Sequence, residues 1–273
     1  MIKLLATDLD GTLLLPKRVV RLVSKPNRLV LHDFVAKGGQ VVIASGRSLQ
    51  MCQKIANKLE VPCNYVPYGG GAAYLDGQPI AEGVFPIELL RRIDKFIDDA
   101  GGRVYRIVNV RGDQIYAYGP RLSHLEKVAT SLYQFVNMRY NEPKIFVNND
   151  LREMVYKKGV LKINLIYVKE GLLNTTGVIE KLVPAFKSEL ELFTTRRACE
   201  ITMKGFNKGE TLEKLVKAME LKKGEVAVIG DDSSDVAMFK KFENSWVMGH
   251  APEEVKKEAK HIVNDFKDIG NLF

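Results

Sequence analysis

Two aspartates separated by one residue follow an apolar stretch at the start of the chain. Asp8 and Asp10 lie in the sequence MIKLLATDLDGTLLL, and Gly11 follows directly. One carboxylate can attack an electrophile such as phosphorus, while the other delivers or removes a proton. Two clustered anions also need a cation, and Mg²⁺ suits carboxylate and carbonyl oxygens and bridges to phosphate. The pair indicates phosphoryl chemistry, although a strand followed by an ordinary Asx turn gives the same local pattern.

The residues before this pair predict the element that positions it. Ile2, Leu4, Leu5 and Ala6 form a short, mostly apolar run, which suits a buried strand inside a parallel sheet. Gly11 allows the backbone to turn sharply after Asp10. Asp8 is therefore expected at the carboxyl end of a strand, where ligands bind in open α/β sheets.

A second apolar run ends at a hydroxyl group. Residues 40–45 read QVVIAS, and Gly46 and Arg47 follow before a helical pattern begins. Ser45 is expected at the carboxyl end of this strand, followed by a backbone N–H that can approach an anion because Gly46 has no side chain. Taken alone, the pattern favours a serine that caps the next helix.

Two further groups stand at predicted element boundaries. Lys208 begins an amphipathic helix, where a positive charge is unfavourable because it opposes the helix dipole. A residue that reduces helix stability in this way is often retained for function. Asp231 and Asp235 follow the apolar run EVAVIG. They are the third and fourth acidic groups that could surround a cation, although Asp235 could also be a first-turn acid that favours the helix dipole.

Together these segments resemble the four ordered motifs of the haloacid dehalogenase superfamily of phosphatases and phosphotransferases. The first motif is D-L-D-G-T-L-L, the second ends at Ser45, the third is Asn207-Lys208-Gly209, and the fourth runs from Gly230 to Asp235. The chain is identified as a member of the Cof-like group. Two positions depart from the usual pattern of that group, because Gly70 and Ser234 each stand where an asparagine is usual.

The resemblance implies a role for each motif residue. Asp8 would be the nucleophile, Asp10 the general acid and base, and Lys208 would hold Asp8 and neutralise phosphate charge. The residues implied to bind the phosphoryl group or substrate are Ser45, Gly46, Arg47, Lys208 and Ser234. The residues implied to bind Mg²⁺ are Asp8, the Asp10 carbonyl, Asp231 and Asp235. His250 follows Gly249 where relatives tend to carry asparagine, and it is either site periphery or a structural residue.

The middle of the chain has a different pattern. From about Glu82, helical stretches alternate with pairs of strand-like runs, which indicates an α+β domain with a mostly antiparallel sheet. The implied fold class is α/β, with a Rossmann-like parallel core at 1–82 and 204–273 and an inserted α+β cap of the C2B type at 83–203. Arg196 and Arg197 are candidates to recognise the leaving group, and solvated turn residues are the alternative.

Composition limits the functional classes. The 273 residues are 46% hydrophobic, with a net charge of +8 and three distant cysteines. Basic residues are spread along the chain, so nucleic-acid binding is not expected. No apolar run reaches the ~20 residues of a membrane span. We expect a cytoplasmic monomer or weak dimer that acts on a small phosphorylated metabolite.

The expected function is Mg²⁺-dependent hydrolysis of a phosphomonoester, such as a sugar phosphate, through an aspartyl-phosphate. A phosphomutase of the phosphomannomutase type is the first alternative, since it uses a related core and cap. A phosphate-ligand sensor or nucleic-acid binder is the second. Intact Asp8, Asp10, Lys208 and Asp231 argue against a pure binding protein, which needs neither a nucleophile nor a separate acid.

Overall fold

The computed structural model describes residues 1–14, 23–100, 104–119, 142–167, 176–194 and 198–272. These residues form two compact units, Met1–Gly83 with Gly205–Phe273, and Val84–Lys204. Among their helices, none has the length and apolar character needed to cross a membrane. Residues 120–141 of the predicted α+β domain and the candidates Arg196 and Arg197 lie outside the described residues.

The strands of the described residues follow in chain order: β1 (Leu4–Thr7), β2 (Gln40–Ala44), β3 (Cys63–Val66), β4 (Ala72–Leu75), β5 (Gln78–Glu82), β6 (Val104–Val110), β7 (Ile115–Tyr118), β8 (Ile145–Phe146), β9 (Val160–Tyr167), β10 (Leu190–Thr194), β11 (Ala198–Met203), β12 (Val226–Gly230), β13 (Asn244–Met248) and β14 (His261–Val263). The α-helices are α1 (Lys25–Ala36), α2 (Leu49–Leu59), α3 (Ile87–Asp99), α4 (Arg152–Tyr156), α5 (Thr176–Phe186), α6 (Lys208–Ala218), α7 (Val236–Lys241) and α8 (Glu253–Lys256). Short 3₁₀ helices span Tyr68–Gly70, Asn149–Leu151, Lys223–Glu225, Ser233–Asp235 and Phe266–Leu272.

The first unit is built on an eight-stranded sheet in the order β14-β13-β12-β1-β2-β3-β4-β5. Its strands from β14 to β3 are parallel, and β4 and β5 extend it antiparallel. Residues 4–6 are at most 1% exposed, as expected of a strand covered on both faces. Thr7 pairs with Ile43 of β2 and Ile229 of β12, so the residues that follow these three strands meet at one edge.

The second unit contains a six-stranded sheet in the order β10-β11-β9-β6-β7-β8. All its neighbouring strands are antiparallel except β7 and β8. Apolar residues of α3 and α5 pack with β6, β9 and β11 in one core, where the Phe96 and Phe186 rings meet edge to face at 5.6 Å. A parallel α/β sheet with an inserted, mostly antiparallel α+β unit is the predicted fold class, which is confirmed.

A charged network is buried in the second unit. The Arg106 guanidinium donates to Asp94 Oδ1 at 2.9 Å and to Asp98 Oδ1 at 2.6 Å. The side chains of Arg106 and Asp94 are only 3% and 4% exposed. The hydroxyls of Tyr118 and Tyr156 both donate to the second Asp94 oxygen. Each buried charge is thus met by several donors or acceptors, which is the condition under which such a pair is tolerated.

Removing one member of this network is expected to unfold the second unit readily. Asp94→Ala leaves the Arg106 charge buried without its main partner, which typically costs about 3–5 kcal/mol. Urea denaturation followed by circular dichroism measures the loss. Arg92→Ala is the control, because Arg92 makes a similar two-bonded pair with Glu189 on the surface, where a pair is worth about 0–1 kcal/mol. Equal losses in the two variants would contradict the expectation.

Candidate active site

A buried ammonium joins two carboxylates at the edge where the parallel strands end. Asp8 follows β1, Lys208 begins α6, and Asp235 ends the 3₁₀ helix after β12. Lys208 Nζ donates to Asp8 Oδ1 at 2.8 Å and to Asp235 Oδ1 at 2.6 Å. The three side chains are at most 7% exposed. Asn207 caps α6 by accepting from Glu210 N, and this places Lys208 at the first helical position.

Asp231 completes the acidic cluster from the end of β12. Its Oδ1 accepts a hydrogen bond of 2.8 Å from the hydroxyl of Thr12. Its Oδ2 lies against the backbone of Gly11, where a β-carbon would be only 2.1 Å away. Gly11 also has a φ of +92°, which favours glycine. Residue 11, in the turn after Asp8 and Asp10, therefore has to be glycine for the Asp231 carboxylate to reach this position.

The cluster carries more negative than positive charge. Burial raises the pKa of the Asp8 carboxyl to about 8; the Lys208 charge opposes this shift, and the charges of Asp235 and Asp231 add to it. Burial likewise raises the pKa of Asp231 to about 6, with the Asp235 charge as the next cause. For Lys208, burial lowers the pKa, but the charges of Asp235 and Asp8 outweigh it and raise the pKa above its ordinary value.

The donor set of the cluster suits a divalent cation. Carboxylate oxygens of Asp8, Asp231 and Asp235 lie within 4.8 Å of one another, and hard oxygen ligands are those that Mg²⁺ prefers. Three carboxylates face one ammonium, so a doubly charged ion would balance the cluster. Both Asp235 oxygens are already bonded, Oδ1 to Lys208 and Oδ2 to the N–H groups of Asp231 and Asp232. Asp8 and Asp231 are therefore better placed than Asp235 to bind an ion directly.

Asp10 and Arg47 form a two-bonded ion pair. Arg47 Nε donates to Asp10 Oδ2 at 2.6 Å, and Arg47 Nη2 donates to Oδ1 at 2.8 Å. The flat guanidinium fork matches a carboxylate in this geometry. The sequence predicted Arg47 as a substrate contact, and the structure shows it first as the group that orients Asp10. Its contact with substrate stays a prediction.

Ser45 directly follows β2 and lies two residues before Arg47. Its hydroxyl accepts from Arg47 N at 3.3 Å, and the residue is 1% exposed. The N-cap of α2 is Ser48, whose hydroxyl accepts from Met51 N. The alternative in which Ser45 caps the helix is therefore wrong. The Ser45 hydroxyl does not cap α2, so it can take another role at this edge of the sheet.

The glycine run Gly69-Gly70-Gly71 positions the start of α6. A β-carbon on Gly70 would lie 2.1 Å from the Asn207 carbonyl carbon, and the φ of Gly70 is +96°. The Gly70 carbonyl accepts a 2.6 Å hydrogen bond from the hydroxyl of Thr211 in α6. Gly70 stands where the Cof-like group usually has asparagine, and packing explains this difference. The helix that carries Lys208 passes directly over the loop and leaves no room for a side chain.

The remaining candidates lie at the rim of the site or beyond the described residues. Ser234 is half-buried in the 3₁₀ helix that follows Asp231, and its binding role stays a prediction. His250 Nε2 lies 3.5 Å from Asp231 Oδ2. Thr12 was missed from the sequence, although its position directly after Gly11 in the first motif is a usable signal. Gly46 follows Ser45 at the same edge, and its contact with phosphate also stays a prediction.

Known proteins share this chain's sequence pattern and fold. Residues 5–270 match the family model described as haloacid dehalogenase-like hydrolase. The chain belongs to the haloacid dehalogenase-like hydrolases. A relative from Mycoplasma pneumoniae with the name "Putative phosphatase" is 28% identical over 278 residues, which cover 96% of this chain and 92% of the relative.

Two further known proteins resemble this chain, one in sequence and one in fold. The 5-amino-6-(5-phospho-D-ribitylamino)uracil phosphatase YcsE of Bacillus subtilis is 25% identical over 264 residues, covering 96% of this chain and 90% of YcsE. The structure of the subclass IIB sugar phosphatase BT4131 has the same fold, with a TM-score of 0.77, 20% identity, and coverage of 98% and 95% of the two chains. The chain is a phosphatase of the Cof type. The predicted family and enzyme class are confirmed.

Adding one methyl group at Gly70 is expected to displace Lys208. Gly70→Ala combines strained backbone, worth about 1–3 kcal/mol, with a collision against Asn207. We expect lower stability in urea and a large loss of activity toward p-nitrophenyl phosphate. Gly77→Ala is the control, because Gly77 has a φ of +78° but no atom within 4 Å of the added carbon. If Gly70→Ala behaves no worse than Gly77→Ala, the loop does not position α6.

Neutralising Asp8 is expected to stabilise the metal-free protein at high pH. The pKa of Asp8 rises from 3.8 to about 8 on folding, so its ionisation costs stability increasingly as pH rises from about 4 through 8. Asp8→Asn avoids this cost. In EDTA, we expect its melting temperature to exceed that of the unmodified protein at pH 9, with a smaller difference at pH 5.

The control for this effect is the surface variant Asp33→Asn. Asp33 pairs with Lys37 on the exposed face of α1, so its melting temperature should follow the unmodified protein at both pH values. An Asp8→Asn difference that is equal at pH 5 and pH 9 would show that ionisation of Asp8 is not the cause.

Proposed function

We propose that this phosphatase hydrolyses phosphomonoesters of small phosphorylated metabolites, particularly sugar phosphates, with Mg²⁺ and through an aspartyl-phosphate on Asp8. The contact of Lys208 Nζ with Asp8 Oδ1 at 2.8 Å, inside a buried acidic cluster, carries this proposal. A structural ion pair would need no second and third carboxylate beside it. A nucleophile that must meet an anionic substrate needs both the ammonium and a cation.

In the first half-reaction, one Asp8 oxygen attacks phosphorus while the bond from phosphorus to the leaving oxygen breaks. Asp10, in its protonated form, gives its proton to that oxygen, so the product leaves as an alcohol. Lys208 holds Asp8 Oδ1 and offers positive charge to the phosphoryl oxygens. The Ser45 hydroxyl and the backbone N–H of Gly46 are proposed to donate hydrogen bonds to the same oxygens.

In the second half-reaction, Asp10 takes a proton from water as the water oxygen attacks phosphorus. The bond between phosphorus and Asp8 breaks, which releases inorganic phosphate and restores the carboxylate. Arg47 orients both Asp10 oxygens through its paired hydrogen bonds. We propose that it keeps the Asp10 carboxylate aimed at the attacking water in this second step.

The residues proposed to hold Mg²⁺ are Asp8, the Asp10 carbonyl and Asp231. When bound, the ion supplies charge that balances the carboxylates and the substrate phosphate. Asp235 acts through its neighbours, because its oxygens fix Lys208 and the backbone at Asp231. Thr12 fixes Asp231 by donating to Oδ1.

A hydroxyl-rich leaving group is supported by one known relative and by the second unit. YcsE is named for a substrate that carries phosphate on a ribityl chain. On β9, Ile163 and Leu165 belong to the apolar core, and the polar residues Lys162 and Asn164 alternate with them. Lys162 is 1% exposed, and its Nζ lies 2.7 Å from Glu200 Oε2. We propose that residues 84–204 act as the cap and that half-buried polar side chains on β9, such as Asn164, match sugar hydroxyls.

A panel of phosphomonoesters with Mg²⁺ tests the proposed reaction. We expect release of inorganic phosphate from sugar phosphates, loss of turnover in EDTA, and recovery with excess Mg²⁺. Asp8→Asn should be inactive while remaining folded, and Asp33→Asn is the matched control on the surface. Full activity in metal-free buffer would contradict the cation site, and interconversion of sugar phosphates without phosphate release would identify a mutase.

Asp10 is tested by comparing two leaving groups. Asp10→Asn should slow hydrolysis of a sugar phosphate by about 100–10,000-fold, because alkoxide leaves poorly without a proton. The loss with p-nitrophenyl phosphate should be smaller, since nitrophenolate leaves readily by itself. Equal losses with both substrates in pre-steady-state measurements of alcohol release would assign the acid to another residue.

A further inference from the structure

A tight turn after β3 holds the segment that carries Ser45 and Arg47. Tyr68 N donates to Arg47 O at 2.8 Å, and Gly69 N donates to Ser45 O at 2.9 Å. The peptide between Ser45 and Gly46 is trans, so its N–H points away from its carbonyl. The turn therefore also sets the direction of the Gly46 N–H, which is the proposed phosphate donor.

Tyr68 holds this turn in a conformation that is uncommon for a residue with a side chain. Its φ is +57°, and the φ of Gly69 is +68°, so two consecutive residues lie in the left-handed region. The Tyr68 residue is only 1% exposed. Strained backbone of this kind persists where the surrounding structure fixes it, and it occurs mainly at functional sites. Burial of the Tyr68 side chain thus fixes the turn.

The same turn is bonded to α6. The hydroxyl of Thr211 donates to Gly70 O at 2.6 Å, and Thr211 is fully buried. Thr211 lies three residues after Lys208, so the two side chains lie on the same side of the helix. Lys208 Nζ in turn donates to Asp8 Oδ1 at 2.8 Å. One hydroxyl therefore connects the helix that holds the nucleophile to the turn that holds the phosphate-binding segment.

We propose that Thr211 is a positioning residue that sets the place of Lys208 relative to the segment Ser45–Arg47. The Tyr68–Gly70 turn transmits this effect, because it is bonded to both. The proposal rests on the proposed function, in which Asp8 is the nucleophile and the segment binds phosphate. Relative placement matters because a misplacement of about 1 Å can cost roughly 100-fold in rate.

The competing role for Thr211 is to satisfy a buried carbonyl without affecting the site. A loss of stability alone lowers the amount of folded enzyme, but it leaves the inhibition constant for inorganic phosphate unchanged in the molecules that remain folded. Misplaced donors instead weaken phosphate binding in every folded molecule. The inhibition constant therefore separates the two roles.

Thr211→Val removes the hydroxyl and nearly keeps the shape of the side chain. With p-nitrophenyl phosphate as substrate, well below the melting temperature, we expect kcat to fall about 10–100-fold. The inhibition constant for inorganic phosphate should rise about fivefold or more, as expected for a weakened hydrogen bond. Thr211→Ala, which adds no methyl group, should raise the inhibition constant similarly. Thr211→Ser keeps the hydroxyl and should retain both constants.

Ser245→Ala is the matched control. Ser245 is a fully buried residue of β13, and its hydroxyl accepts from Lys260 N at 3.1 Å. We expect this variant to melt at a lower temperature with kcat and the inhibition constant unchanged. An unchanged inhibition constant in Thr211→Val and Thr211→Ala, or Thr211→Ser behaving like Thr211→Val, would overturn the proposal and leave the proposed function standing. Full activity of Asp8→Asn would overturn both.

Discussion

The buried ammonium of Lys208 is the contact on which the active-site arrangement depends. It bonds Asp8 and Asp235, which come from the ends of β1 and β12, and it belongs to the first turn of α6. Removing the ammonium would leave two buried carboxylates without their shared partner, a loss that typically costs about 3–5 kcal/mol. One side chain therefore fixes a helix start against two strand ends, and the nucleophile is fixed with it.

Close backbone approach makes that contact possible. Gly70 passes under Asn207, and Gly11 lies against Asp231; a β-carbon at either position would lie 2.1 Å from its neighbour. Burial of the cluster raises the pKa of Asp8 to about 8. The fold thus holds a costly cluster of carboxylates together, which is typical of a site whose stability is reduced in favour of binding a cation and a phosphate.

The sequence predicted the fold class and the motif residues because both leave local signals. Apolar runs of strand length identified β1, β2 and β12, and polar residues directly after them identified Asp8, Ser45 and Asp231. The change of pattern near Glu82 indicated a second, mostly antiparallel unit. The sequence patterns did not predict the antiparallel strands β4 and β5. Both strands are short, turn residues lie between them, and polar and apolar residues do not alternate clearly along residues 72–82.

Pairings between distant segments were decided only by the tertiary structure. The sequence by itself determined which residue types stand at strand ends, since hydrophobic period and turn residues act over a few positions. It could not determine that Arg47 binds Asp10, that Asp94 of α3 is buried with Arg106, or that both Asp235 oxygens are engaged. These contacts depend on strand order and register, which bring side chains together regardless of their separation along the chain.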